Sequence, residues 1–372
     1  MLYAGRKVAM LPAHLLPQFL FMRTILCFFI LGLSTEPSFS QTIVCDTSAF
    51  VYNYFMRVTA PSGVNLRAAP SQQAAKLVAI PYGAEIPVAA NYTDEQLPVE
   101  TIEDKYASWY KAAYAGKTGY VFGGFLEDAR QKTSVRFLIP EAGVESIRSE
   151  LGLDPDLSWF ALAPNEKERP RYSPDIVQMQ AQKVVLDTLK LEGFDDARHR
   201  PLNAPENTLV FFGGIRHNPE IKYYYQPEES EMLYPGATIS FPLFDEQLKQ
   251  QRLYCLYANG QPVSAPQSRG NWPFSGIRNY ELRIRELSYS PSGYHLVSDQ
   301  LLFSGNLDFD PETGRMYGPR LFLMGDFDND HKLDIILDWQ SDKGTVFYLF
   351  LSSKALPGFM MRVVAMVADS CC

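Results

Sequence analysis

Histidine is scarce in this chain, with five among 372 residues, at positions 14, 199, 217, 295 and 331. No His-Glu-x-x-His pair exists to hold a catalytic zinc. There is no Gly-x-Ser-x-Gly elbow to present a nucleophilic serine and no glycine loop to cradle phosphates. Basic clusters are missing as well. The formal net charge is −8 and no Lys/Arg-rich run reverses it locally, which argues against nucleic acid as a partner. The apolar run from Thr24 to Leu33 is only half as long as the roughly 20 residues a membrane-crossing helix needs, so no transmembrane span is expected in the mature chain. No segment recurs at a fixed period, which disfavours a propeller.

What the chain does hold is apolar and aromatic. Hydrophobic residues make up 46% and aromatics 13%, alongside 26 prolines and 24 glycines. That mixture favours short strands joined by turns, and the length suits two or three domains with real cores. The expected fold class is mainly β: a small barrel followed by a larger, sandwich-like β domain.

The N-terminus reads as an export signal. Met22-Arg23 precedes the apolar Thr24–Leu33 run, and small residues follow at Ser38-Phe39-Ser40 before Gln41. A basic head, a short apolar core and small residues before a cut make a secretory signal peptide. Residues 1–40 are therefore set apart from the folded protein, with 1–21 read as an upstream extension of a start at Met22. Removing Arg6, Lys7, Arg23 and Glu36 with them takes the net charge from −8 to −10. The expected location is periplasmic or extracellular. Cys45, Cys255, Cys371 and Cys372 remain, and in an exported chain they permit disulfides in three pairings. A bond between the neighbours Cys371 and Cys372 is strained, so a tie from that pair to Cys45 or Cys255 is favoured. Ile43 and Val44 stand where a lipobox needs a small residue, which argues against a lipid anchor.

Residues 56–127 form a compact run of β signals. Met56–Thr59 alternates, Gly63-Val64-Asn65-Leu66-Arg67 leads into Ala68-Ala69-Pro70-Ser71, and Tyr82-Gly83-Ala84 precedes Glu85-Ile86-Pro87-Val88. Trp109–Tyr114 and Tyr120-Val121-Phe122 flank a hairpin turn at Ala115–Gly119. In the order and spacing of these blocks the segment resembles the bacterial SH3-like (SH3b) family over about a fifth of the chain. The stretch Asn91–Ala107 is longer and more acidic than the family's usual loop. The resemblance implies a small barrel and, since members often bind cell-wall peptides, a peptide ligand. Among the aromatic candidates Tyr82, Tyr92, Trp109, Tyr110, Tyr114 and Tyr120, the ligand-binding expectation falls on Trp109, Tyr110 and Tyr82. The competing reading makes Trp109 and Tyr120 plain core residues.

Residues 128–206 read as a linker or mixed region. Val135–Ile139 is a strand, Gly143–Gly152 a candidate short helix, the mixed charges of Glu166–Arg171 a solvated loop, and Val184–Leu191 a strand or a helix end. From 207 to 372 many short strands return, with turns at Ala258-Asn259-Gly260-Gln261, at Ser290-Pro291-Ser292-Gly293 and over Asn306–Gly314.

Within this last region lies Gly325-Asp326-Phe327-Asp328-Asn329-Asp330-His331-Lys332-Leu333-Asp334. Asp326, Asp328 and Asp330 fall at positions 1, 3 and 5 of a calcium loop, Lys332 offers its carbonyl at position 7, and Asp334 falls at position 9. Leu337 replaces the closing glutamate of an EF-hand, and a strand follows instead of a helix. The stretch is similar to the calcium loops of FG-GAP and related β-repeats, though in a single copy. The resemblance implies a structural calcium ion. His331 stands at that family's glycine, where the turn calls for a left-handed backbone that His accepts less readily than Gly. An acidic turn paired with nearby Lys or Arg is the plainer alternative.

Catalysis finds little support. Cys255 sits in the apolar run Leu253–Tyr257, a setting for core or disulfide and not for a nucleophile. The expectation is an exported, non-catalytic envelope protein that binds a cell-wall or envelope peptide through its SH3-like module. The alternatives are a secreted hydrolase with an unrecognised active site in the C-terminal region, and a purely structural assembly partner.

Overall fold

Alternating and near-continuous apolar runs produce strands through most of the described residues. The computed structural model describes residues 54–89, 97–139, 157–164, 176–184, 204–205, 207–216, 222–225, 231–245, 249–264, 274–310, 315–341 and 344–369. Among the described residues every regular element is a strand or a short 3₁₀ turn. The signal-peptide reading, the candidate helix over 143–152, the charged loop over 166–171, and Cys45, Cys371 and Cys372 lie outside the described residues.

The first sheet contains β1 (Tyr54–Val58), β2 (Val64–Arg67), β3 (Lys76–Ile80), β4 (Glu85–Val88), β5 (Val99–Ile102), β6 (Lys105–Tyr114), β7 (Lys117–Phe122) and β8 (Leu126–Asp128). Its order is β3-β2-β7-β6-β4-β1-β8, with β5 on the side of β6. Val58, Leu66, Ile80, Ile86, Val88, Ala112 and Val121 alternate inward and close one core. The β6–β7 hairpin turns on Ala115 and Gly116, whose φ values of 50° and 72° suit a two-residue turn of matching twist. Gly63, at φ 76°, lies so close to β3 that a Cβ there would meet the Ile80 carbonyl oxygen at 2.4 Å. The acidic insertion folds back as the β5–β6 hairpin, register Val99↔Ser108 to Ile102↔Lys105.

The rest forms two further sheets. A ten-stranded sheet begins with β9 (Arg136–Leu138), β10 (Trp159–Pro164), β11 (Ile176–Val184), β12 (Val210–Gly213), β13 (Lys222–Tyr225) and β14 (Glu231–Met232). A five-stranded meander interrupts it: β15 (Thr238–Asp245), β16 (Gln250–Ser264), β17 (Phe274–Ser290), β18 (Gly293–Asp310) and β19 (Arg315–Met316). The chain then returns with β20 (Pro319–Gly325), β21 (Asp334–Ser341), β22 (Gly344–Leu351) and β23 (Arg362–Asp369). The larger sheet runs β23-β22-β21-β20-β13-β11-β10-β12-β9, with β14 beside β20. Thr133, just before β9, donates its hydroxyl to the Val364 carbonyl of β23 at 3.1 Å, so the sheet curls and its two ends meet.

Strands β20–β23 are covered on both faces. Ile336 and Leu349 join Phe137, Phe160 and Phe212 inside the curl. Their neighbours Ile335, Leu337 and Phe350 pack the other way, against Phe241, Leu256, Tyr280 and Leu282 of the meander. Double coverage explains why this stretch reads as near-continuous apolar runs, and it makes the C-terminal region sandwich-like, as expected.

Within residues 128–206, read as a linker or mixed region, the strand expected at Val135–Ile139 is β9, and β10 and β11 join the same sheet. Two turn readings change. The turn expected at Ala258–Gln261 is instead a bulge in a continuous strand, where the register skips between Asn259 and Gln261. Gly260, at φ 150°, makes the bulge fit, since a Cβ would meet Ile277 Cγ2 at 2.6 Å. Asn306–Asp310, read as the start of a turn, is the end of β18. The turn at Ser290–Gly293 stands, with those two residues paired across the β17–β18 hairpin.

Candidate functional site

The aspartate run connects β20 to β21, two strands held by buried apolar side chains on both faces. Gly325 pairs with Asp334 across the base of the loop, so the chain must reverse within eight residues. Asn329 and His331 accomplish this with φ values of 61° and 65°. The left-handed backbone expected at His331 is therefore present, carried by a side chain that tolerates it.

The reversal turns carboxylates inward. Asp326, Asp328 and Asp334 are 4%, 8% and 0% exposed. One oxygen from each lies within 4.8 Å of the others. At an effective dielectric near 20, each such pair of charges repels by on the order of 3 kcal/mol. Backbone donors absorb part of this. Phe327 N–H and Ser352 N–H donate to the two oxygens of Asp334, each at 2.8 Å. The N–H groups of Asp330 and His331 donate to Asp326 at 3.1 and 3.2 Å. Ser353 Oγ–H donates to Asp328 Oδ2. Asp328 Oδ1 is buried with no donor among the described residues.

Burial also shifts where these carboxyls release their protons. It pushes the Asp328 carboxyl up to about 6, against the hydrogen bond from Ser353 and with the help of the Asp330 and Asp326 charges. Asp334 is pushed well above the carboxylate range by complete burial and then by Asp328. Asp330 rises through burial, opposed by hydrogen bonds from the Lys332 N–H and Ser352. Three buried oxygens and one orphaned acceptor match what a hard cation requires, and the triad can hold a metal ion. Asp330 lies beside the triad, accepting from the Lys332 N–H and from Ser352 Oγ, which also reaches Asp334. Lys332 itself is exposed.

On β6, consecutive side chains alternate between faces. Trp109 is 1% exposed and packs with Ile102 and Phe122 in a second small core, its ring 5.6 Å from that of Phe122. Its indole N–H donates to Glu100 Oε2 at 2.9 Å, and Gln72 N–H donates to the same oxygen. Tyr110 points the other way, half-buried against the barrel core. Tyr82 is 61% exposed at the β3–β4 turn. Tyr106 is 74% exposed and Val99 51%. The register places Val99, Thr101, Tyr106 and Ser108 on one face of the β5–β6 hairpin.

Residues 62–127 match the family of bacterial SH3 domains. No curated protein and no solved structure matches the chain.

Within this SH3 domain, Trp109 is corrected from ligand-binding candidate to core residue. Trp109 and Tyr110 cannot line one groove, because neighbours on a strand face opposite sides. Tyr92 lies outside the described residues. Tyr106, exposed on the inserted hairpin, was missed because a lone tyrosine in an acidic stretch has no periodic signal. Ser352 and Ser353 were missed because they sit far along the chain from the aspartates they bond.

Elsewhere, Cys255 is free and half-buried, 3.6 Å from Ser240 Oγ, on the meander face opposite Tyr254 and Leu256. Of the core-or-disulfide reading, full burial is not met, and the cysteines it could pair with lie outside the described residues. A cleft between the sheets is lined by Leu302, Phe303, Leu337, Trp339, Tyr348 and Phe350, with Asp338 as its one charged group. Arg320 grips both Asp338 oxygens at 2.8 Å, so that carboxylate is engaged in an ion pair. No nucleophile stands beside a base in this lining.

Proposed function

We propose that this is an exported envelope protein that binds a cell-wall or envelope peptide through its SH3 domain, on a β scaffold stapled by calcium. The match at 62–127 carries the reading, because domains of this family are commonly cell-wall binding modules. The exposed Tyr106 and Tyr82 supply ring area with a polar handle, which suits extended peptide chains. The signal-like N-terminus supports export, and calcium outside a cell is abundant enough for a loop lacking the EF-hand glutamate. The all-oxygen donor set favours calcium over softer metals. Asp326, Asp328 and Asp334 hold the ion in this reading, and its contribution is charge neutralisation without chemistry.

The test is co-sedimentation with purified peptidoglycan. Retention of the wild-type chain should fall at least about tenfold for a Tyr106→Ala, Tyr82→Ala double variant, the scale of losing one or two interface anchors. Equal retention of both proteins rejects these two tyrosines as contacts, and no retention of either rejects the ligand. The mass of the mature chain checks export and the four cysteines together.

A further inference from the structure

The aspartate loop is gripped by a second segment. Ser352 and Ser353 open the connection between β22 and β23. Ser352 N–H and Oγ both reach Asp334 Oδ1, at 2.8 and 3.0 Å, and Oγ also lies 3.0 Å from Asp330. Ser353 Oγ–H holds Asp328. Two turns stiffen the rest of the connection, Ala355 N–H to Ser352 O and Phe359 N–H to Leu356 O, each 3.0 Å. Gln300 of β18 then clamps the far end: its Oε1 accepts from the N–H groups of Met360 and Met361 at 2.7 and 3.0 Å, and its Nε2 donates to Met361 O at 2.9 Å.

That same connection ends on the SH3 domain. Phe359 meets Phe55 of β1 edge-on, with ring centroids 5.5 Å apart. Arg362 pairs with Glu85 of β4 and lies 5.7 Å above the Phe55 ring. One short segment therefore joins the carboxylate cluster at its start to the SH3 domain at its end.

We propose that the cation site is a clasp that seats the SH3 domain. The inference rests on the metal reading above. Without a cation, Asp326, Asp328 and Asp334 crowd within 4.8 Å and Asp328 Oδ1 has no donor among the described residues, and outward movement of Asp328 relieves both. Ser353 is bonded to that carboxylate and moves with it, loosening the connection and the contacts of Phe359 and Arg362. With a divalent cation the carboxylates are drawn together, the serines are fixed, and the seat on β1 and β4 is held. Cation concentration thereby sets how firmly the ligand-binding domain is presented.

Hydrogen exchange on the full chain tests this, with calcium as the probe. Adding calcium to the stripped protein should slow exchange over 326–334, over 352–361 and in β1 and β4, by about tenfold or more. A Ser352→Ala, Ser353→Ala double variant should still bind calcium by titration calorimetry and protect 326–334, yet leave β1 and β4 unchanged. Should that variant fail to fold, Glu85→Gln leaves the aspartate loop intact and should lose only the β1 and β4 response. Protection in the wild type that stops at the aspartate loop overturns the clasp and leaves the metal site standing. Protection of β1 and β4 that survives in both variants overturns it too. No calcium binding at all removes the metal reading itself, and the clasp with it.

Discussion

Asp328 concentrates the tension in this molecule: a carboxylate 8% exposed, one oxygen bonded to Ser353 and the other without a donor among the described residues. Its carboxyl is raised to about 6, above the unfolded value, so the fold favours the protonated form. Its stabilising contribution is whole below about pH 4 and is lost as pH rises through about 6. In calcium-stripped protein, Tm should therefore fall across that window by more for wild type than for Asp328→Asn, which cannot ionise. Calcium should raise the wild-type Tm more at about pH 7 than at about pH 4, because protons compete for the same oxygens. Melts with and without calcium at both pH values check the sign. His331 bears a second strain at φ 65°. His331→Gly should tighten calcium binding and stabilise the chain by up to about 1 kcal/mol, the scale of a left-handed residue with a Cβ. Calorimetric titration beside denaturant melts reads both.

Among the elements, β6 shows how one strand serves two cores. Tyr110 and Ala112 face the barrel, while Ala107 and Trp109 face the pocket closed by Ile102 and Phe122. Trp109→Ala should cost about 3–5 kcal/mol in urea unfolding, the range for emptying an aromatic core site. Tyr106→Ala, on the same strand but in solvent, should shift stability by less than about 0.5 kcal/mol. A small loss for Trp109→Ala would show that the second core contributes little. The alternation of β6 was readable from its residues, but which face met a partner was not. Ile102 of β5 covers Trp109 together with Phe122 of β7, and β5 lies in the acidic insertion that departs from the family pattern.

For the whole molecule, the SH3 domain and the sandwich share a seam built from Phe55, Glu85, Phe359 and Arg362. Each of these contacts is modest, an aromatic pair being worth about 1 kcal/mol. Cooperative melting therefore depends on all of them. Calorimetry should show one transition for the wild type with calcium and two for a Phe359→Ala, Arg362→Ala double variant, the smaller belonging to the SH3 domain. A single transition in both proteins would mean that the β8–β9 passage alone couples the two parts.

The β class, the order of the SH3 strands and the oxygen-rich loop with its left-handed turn were all legible in the order of residues. These are local properties, written in alternation, turn residues and spacing over a few positions. Packing between distant segments was needed to show that β9, β10 and β11 join the large sheet, that Trp109 is core and that Cys255 is only half-buried. It also brought Ser352 and Ser353 to the aspartates. Each of these depends on contacts across the chain, and burial or repulsion of that kind exists only once the sheets have closed.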